Sequence, residues 1–143
     1  MGLTYYPLNT LPQQYDVVWC LYPESGLTPG PVARPSLVLD VRVNKEKQIG
    51  ALVCTYGTGE FDSTHLGKDL IILPHEYMAL GLHKQTRFAL SLNSRMQLAW
   101  SSEYFLAPEY VRSQRIIMGG LNGHQIDRML ACLRGSGSKA LLK

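Results

Sequence analysis

Residues 16–22, DVVWCLY, carry apolar side chains on both alternating faces. Successive side chains of a strand point to opposite sides, so a strand of this kind must be covered on both. That requirement excludes a lone surface strand and calls for a closed or layered β architecture. The next stretch, PESGLTPGPVARP at 23–35, holds four prolines and two glycines, which rules out regular structure and describes a long loop. Its composition predicts a mobile segment over 23–33 that gates whatever cleft lies beside it.

A second strand is predicted over Ser36–Val43, where Leu37, Leu39, Val41 and Val43 alternate with Ser36, Val38, Asp40 and Arg42. Asn44–Gln48 is a charged turn, and Ile49–Tyr56 reads as a third strand, antiparallel to the second as the second is to the first. After a polar stretch at 57–68, a short apolar run at Asp69–Leu73 ends at Pro74. Pro74 and Gly81 bracket a single helical turn. Arg87–Leu92 alternates again, and Met96, Leu98 and Trp100 continue the pattern past a polar corner at Asn93–Arg95, which predicts a hairpin. Near the C-terminus, Ile126, Met129, Leu130 and Leu133 recur at helical spacing between Asn122 as N-cap and Gly135 as terminator. The expected fold is mainly β with a C-terminal helix: a small, SH3-like, partly open antiparallel β-barrel. The 143 residues form a single domain, with the barrel and helix over 13–134 and a flexible tail at 135–143.

Composition narrows the function classes. With 14 Lys+Arg against 11 Asp+Glu the net charge is +3, so a polyanion would have to meet a local patch and not a global field. Cys20, Cys54 and Cys132 are far apart and each sits in an apolar segment, which reads as buried free thiols and not as ligands or a disulfide. No carboxylate cluster or ligand spacing points to a metal or another cofactor. The N-terminal segment has no secretory pattern and no apolar run reaches membrane-spanning length, so the expected location is the cytoplasm.

YDVVWCLYPE, the Pro/Gly loop, ARPSLVLD, a third strand ending YGTG, then LNSRMQLAW and a terminal helix together resemble the PemK/MazF family of toxin endoribonucleases. Members of that family open on a GD-V-x-W-V strand, continue through a flexible loop to R-P-x-V-V-L, and end the next strand in a P-x-T-S-like tetrapeptide. The likeness spans residues 13–134, and its sharpest element is Arg34-Pro35 at the right distance after Trp19. Tyr15 stands where the family usually has glycine, Gly59 where it usually has serine or threonine, and 60–86 is longer than in compact members.

The resemblance implies a metal-independent endoribonuclease toxin of a type II toxin–antitoxin system, acting on single-stranded RNA. The ribose 2′-hydroxyl attacks the neighbouring phosphate, leaving a 2′,3′-cyclic phosphate and a 5′-hydroxyl. It maps the family's arginine onto Arg34 and its threonine onto Thr58. A guanidinium presents a rigid fork of donors matched to phosphate, and a hydroxyl adds one more, both aimed where negative charge develops. Implied partners are the RNA, a cognate antitoxin protein and a second copy in a homodimer, which would cover the outer face of the first strand. From the residues alone, Arg34 reads as a structural ion pair with Glu24, Glu60 or Asp40, and Thr58 could equally be an ordinary turn hydroxyl, with Thr55 and Ser63 as rivals. Lys84, Arg87 and Arg95 are the candidate RNA-binding cluster, with Tyr104 as a stacking surface and Trp100 read as core or interface. No general base is apparent; His65, His75, His83 and His124 match no family position. Relatives on the same scaffold resemble gyrase-poisoning toxins that bind a protein and catalyse nothing, and a degenerate phage-borne binding module is the remaining reading.

Overall fold

The strand that is apolar on both faces lies inside the sheet, hydrogen-bonded on each side. The computed structural model describes residues 4–60, 63–65 and 67–135. Among them run β1 (Asp16–Cys20), β2 (Arg34–Asn44), β3 (Ile49–Thr58), β4 (Leu70–Ile71), β5 (Arg87–Phe88), β6 (Arg95–Ala99), β7 (Ile117–Gly120) and α1 (Gly123–Gly135). The sheet is antiparallel throughout, in the order β4-β5-β3-β2-β1-β7, with β6 also paired to β3. It curls into half a barrel closed on one side by α1. No helix among the described residues is long and apolar enough to cross a membrane.

Each face of the sheet has its own core. Val17, Leu37, Leu39, Phe88 and Leu90 pack under Met129 and Leu133 of α1. On the other face, Val18, Cys20, Val38, Leu52, Cys54 and Leu98 pack against Trp100 and Phe105. Val17, Val18 and Cys20 are fully buried, so both faces of β1 are covered within one chain. The burial argument for a second copy over β1 therefore falls away. Trp100 is core, 2% exposed, with its indole N–H donating to Thr10 Oγ1 at 3.1 Å. Cys20 and Cys54 are buried free thiols, whereas Cys132 on α1 is only half-buried. The contact with Cys20 and full burial push the Cys54 thiol well up.

Two features depart from simple alternation. The β2–β3 register runs Val38 to Cys54 and then Asp40 to Val53, so Leu39 is an extra residue in a β-bulge. The bulge reverses the phase: Leu39 stays with Leu37 under the helix, but Val41 turns to the opposite core beside Val38, and Val43 is exposed. Downstream, β5 and β6 do not form the expected hairpin. Both run antiparallel to β3 along one edge, β5 against Gly57–Thr58 and β6 against Ala51–Thr55. They are one interrupted strand, broken by a 3₁₀ turn at Leu92–Ser94 that the Ser94 hydroxyl closes onto Ser91 O at 2.8 Å.

The terminal helix begins as its sequence predicts. Asn122 Oδ1 accepts from the Gln125 backbone N–H at 2.9 Å, and Gln125 Oε1 accepts from the Asn122 N–H at 2.8 Å, a reciprocal capping box. The turn at Tyr77–Leu80 also forms, closed by Gly81 at φ 78°. A Cβ there would lie 2.6 Å from Met118 O, so glycine is required twice over. Arg128 of α1 holds this turn by two bonds to the Glu76 carboxylate, at 2.7 and 3.0 Å, and one to Ile71 O at 3.2 Å. The predicted tail beyond residue 135 lies outside the described residues.

The Arg128 hydrogen bonds hold the Glu76 carboxyl at about 2, against 4.5 for an ordinary glutamate. A carboxyl depressed on folding stabilises the fold above its unfolded value and loses that contribution as pH falls through the folded one. The thermal midpoint should therefore drop between about pH 4.5 and 2, and Glu76→Gln should be less stable at pH 7 with a shallower acid decline. Parallel acid slopes in calorimetry would contradict this clasp.

Candidate functional site

Arg34 is the first residue of β2 and Thr58 the last of β3. Ser36 pairs with Tyr56, and continuing that register by two residues sets Arg34 across from Thr58. Gly57 permits the close approach behind them, because a Cβ there would meet Pro35 O and Phe88 Cε1, each at 2.8 Å. The two side chains extend the sheet face that buries Val38 and Cys54, but at its open end, where the core gives way to solvent.

Two clefts meet at this pair. One, of about 310 Å³, reaches from Arg34 and Thr58 to Trp19, Glu60, His83, Lys84 and Tyr110. The other, of about 370 Å³, lies between the same two residues and Tyr22, Glu24 and Tyr56. Arg34 and Thr58 thus form the ridge dividing them. Both clefts have aromatic walls: Trp19 meets Tyr110 edge-on with ring centres 6.2 Å apart, and Tyr22 meets Tyr56 edge-on at 5.5 Å. Tyr22 is anchored by its hydroxyl, which donates to Ser94 O, and burial pushes that phenol well up.

The ridge is available for an anion. Arg34 is 47% exposed, and among the described residues it pairs with Glu24, 3.6 Å away and 59% exposed. An exposed pair of this kind is worth about 0–1 kcal/mol, so a dianionic or monoanionic phosphate group could displace it. Asp40 is engaged by Arg42 at 2.8 Å and is not the partner. Thr58 Oγ1 accepts from the Glu60 N–H at 3.2 Å, which orients the hydroxyl and leaves its hydrogen free to donate. Lys84 adds a cation on the same side.

The three basic residues grouped by sequence are not brought together. Only Lys84 reaches the cleft. Arg87 is 9% exposed, pairs with Asp69 at 2.5 Å and donates to Glu60 O at 3.1 Å. It joins β5 to the segment before β4 and is largely buried there. Arg95 is half-buried and gives one donor to Leu90 O at 2.9 Å, while desolvation lowers its pKa. Thr55 is buried and donates to Ala89 O at 2.6 Å, which removes it as a rival to Thr58; the Ser63 side chain lies outside the described residues. His75 and His124 line a separate groove between the Tyr77–Leu80 turn and α1, and His65 ends the turn at 63–65. His83 is the histidine that lines the Arg34–Thr58 cleft; the sequence offered it only as one of four without a family position, since 24 residues of chain separate it from Thr58.

The loop over 23–33 is better held than its composition predicts. Ser25 bridges to Thr28, Gly30 N–H donates to Leu21 O at 3.0 Å, and the Tyr104 hydroxyl donates to Leu27 O at 2.6 Å. Tyr104 is therefore a strut for this loop. Tyr15, at the position where the resemblance has glycine, adopts φ 73°. That left-handed conformation costs a side-chain residue about 1–2 kcal/mol, and here backbone bonds to Val38 O and from Leu121 N–H hold it.

Comparison of the chain with protein-family models, with curated proteins and with solved structures returned no match.

Arg87→Ala should cost about 3–5 kcal/mol, because it strands the Asp69 carboxylate inside the protein. Lys84→Ala should change stability by no more than about 0.5 kcal/mol. Chemical denaturation that ranks the two variants equally would show that Arg87 is not structural.

Proposed function

We propose that this protein is a metal-independent endoribonuclease of the PemK/MazF type, on an SH3-like barrel, that cleaves single-stranded RNA as the toxin of a toxin–antitoxin pair. One observation carries the reading: Arg34 and Thr58, singled out by the resemblance, stand side by side on an exposed ridge between two aromatic-walled clefts. Tyr15 supports it as well, since its left-handed backbone suits a position that the family gives to glycine.

The chemistry follows from the ridge. A scissile phosphate seated on Arg34 receives two parallel N–H donors on its nonbridging oxygens, with the Thr58 hydroxyl as a third. As the 2′-oxygen attacks, negative charge grows on those oxygens, and fixed donors stabilise it without reorganising. The bases on either side of the phosphate fall over the two clefts. Unstacked bases of a single strand can contact their tyrosine and tryptophan walls, whereas a duplex presents no free base faces there. Lys84 tracks the backbone beyond the scissile step.

Purified protein should cut single-stranded RNA with a chelator present and leave 2′,3′-cyclic or 3′-phosphate ends. Arg34→Ala should lower kcat/KM by about 10²–10³, Arg34→Lys should recover only part, and Thr58→Ala should cost less than Arg34→Ala. All three should keep the wild-type thermal midpoint, since neither side chain belongs to a core. Cleavage that needs added magnesium, or Arg34→Ala cutting like wild type, defeats the proposal. Growth arrest that persists in Arg34→Ala without RNA cleavage points instead to a toxin that acts by binding a protein.

A further inference from the structure

Resting on that ribonuclease reading, we propose that Glu24 is the general base and His83 the general acid of the reaction. Displacement at phosphorus is in line, so the entering 2′-oxygen and the departing 5′-oxygen lie on opposite faces of the phosphate. A phosphate on the Arg34–Thr58 ridge exposes one face to each cleft. Glu24 lines one of these clefts and His83 the other, while Arg34 and Thr58 are common to both. Arg34 itself cannot give up its proton, so the reaction needs these other groups.

Glu24 is the base because its exposed carboxylate lines one cleft and already lies 3.6 Å from Arg34. When phosphate displaces the carboxylate from the guanidinium, Glu24 is left beside the attacking side with a vacant oxygen. His83 sits between Leu82 and Lys84 at the rim of the other cleft, exposed, and can carry a proton to the leaving oxygen. The steps balance. The 2′-hydroxyl proton passes to the Glu24 carboxylate as the 2′-oxygen bonds to phosphorus. The bond from phosphorus to the 5′-oxygen then breaks as His83 transfers a ring proton to that oxygen. The products are the cyclic phosphate, the 5′-hydroxyl, protonated Glu24 and neutral His83, and solvent exchange restores the last two. Glu60, which lines the His83 cleft, lies on the same side as the acid and is not required.

The test uses two RNA substrates of one sequence, one natural and one with sulfur replacing the bridging 5′-oxygen. A thiolate leaves without protonation. On natural RNA, His83→Ala and Glu24→Gln should each lower kcat by about 10²–10⁴. On the sulfur substrate, His83→Ala should cleave within a few-fold of wild type, and Glu24→Gln should remain slow. Wild-type rates for His83→Ala on natural RNA, or equal losses on both substrates, overturn the assignment of the acid. Full activity of Glu24→Gln overturns that of the base. If Arg34→Ala is inactive while both these variants cleave normally, the ribonuclease reading stands and this inference alone fails. If wild type cleaves neither substrate, both fail.

Discussion

The long β2–β3 ladder organises both cores and the site. It pairs eight residues of each strand, from Ser36–Tyr56 to Asn44–Ile49, with β1 on one edge and the broken β5/β6 strand on the other. A sheet of this length twists, and the bulge at Leu39 sharpens the curl, so one sheet can bury side chains on both faces. Without the extra residue, Val41 would face the helix and the second core beneath Trp100 would lose a wall. The same ladder, at its other end, sets Arg34 and Thr58 abreast.

The break between β5 and β6 makes room for the site. A continuous strand would pair β3 along its whole length with one register. The turn at Leu92–Ser94 instead shifts the register, so Phe88 covers Gly57 and the chain before it carries His83 and Lys84 over Thr58. Ser94 serves both elements: its carbonyl accepts from Tyr22 in one cleft wall and its hydroxyl bonds toward Thr55 in the core. Buried polar residues here fasten strands together, and the exposed ones at the ridge are left with weak partners. Arg87 and Arg34 illustrate the contrast. Arg87 is tied to Asp69 at 2.5 Å in the interior, and Arg34 stands 3.6 Å from a solvated Glu24.

On the proposed reading, the two donors between two clefts would seat a phosphate with a base on each side. The loop over 23–33 carries Glu24 and Val32, and its anchors at Leu21 and Tyr104 keep both clefts defined. Its glycine at position 30 is obligatory, since a Cβ would lie 2.4 Å from Tyr22 O.

Much of the scaffold was legible in the sequence. The two-sided burial of Val17, Val18 and Cys20, the three sequential antiparallel strands, the Pro74–Gly81 turn and the Asn122 cap all follow from local patterns of period two or 3.6 and from side chains acting on their own neighbours. Arg34 and Thr58 were found through a resemblance in short motifs. The rest was decided at long range. A bulge leaves no mark in an alternating run, so the turn of Val41 to the opposite core followed from register and not from spelling. Charge and spacing put Lys84, Arg87 and Arg95 together, but burial against Asp69 removed Arg87 and the contact with Leu90 turned Arg95 inward. His83 and Glu24 flank one ridge from positions 59 residues apart in the chain. Local pattern determines which face a side chain takes on its own strand; only the packed sheet determines which side chains share a cleft, because that depends on register, twist and chain return across the whole fold.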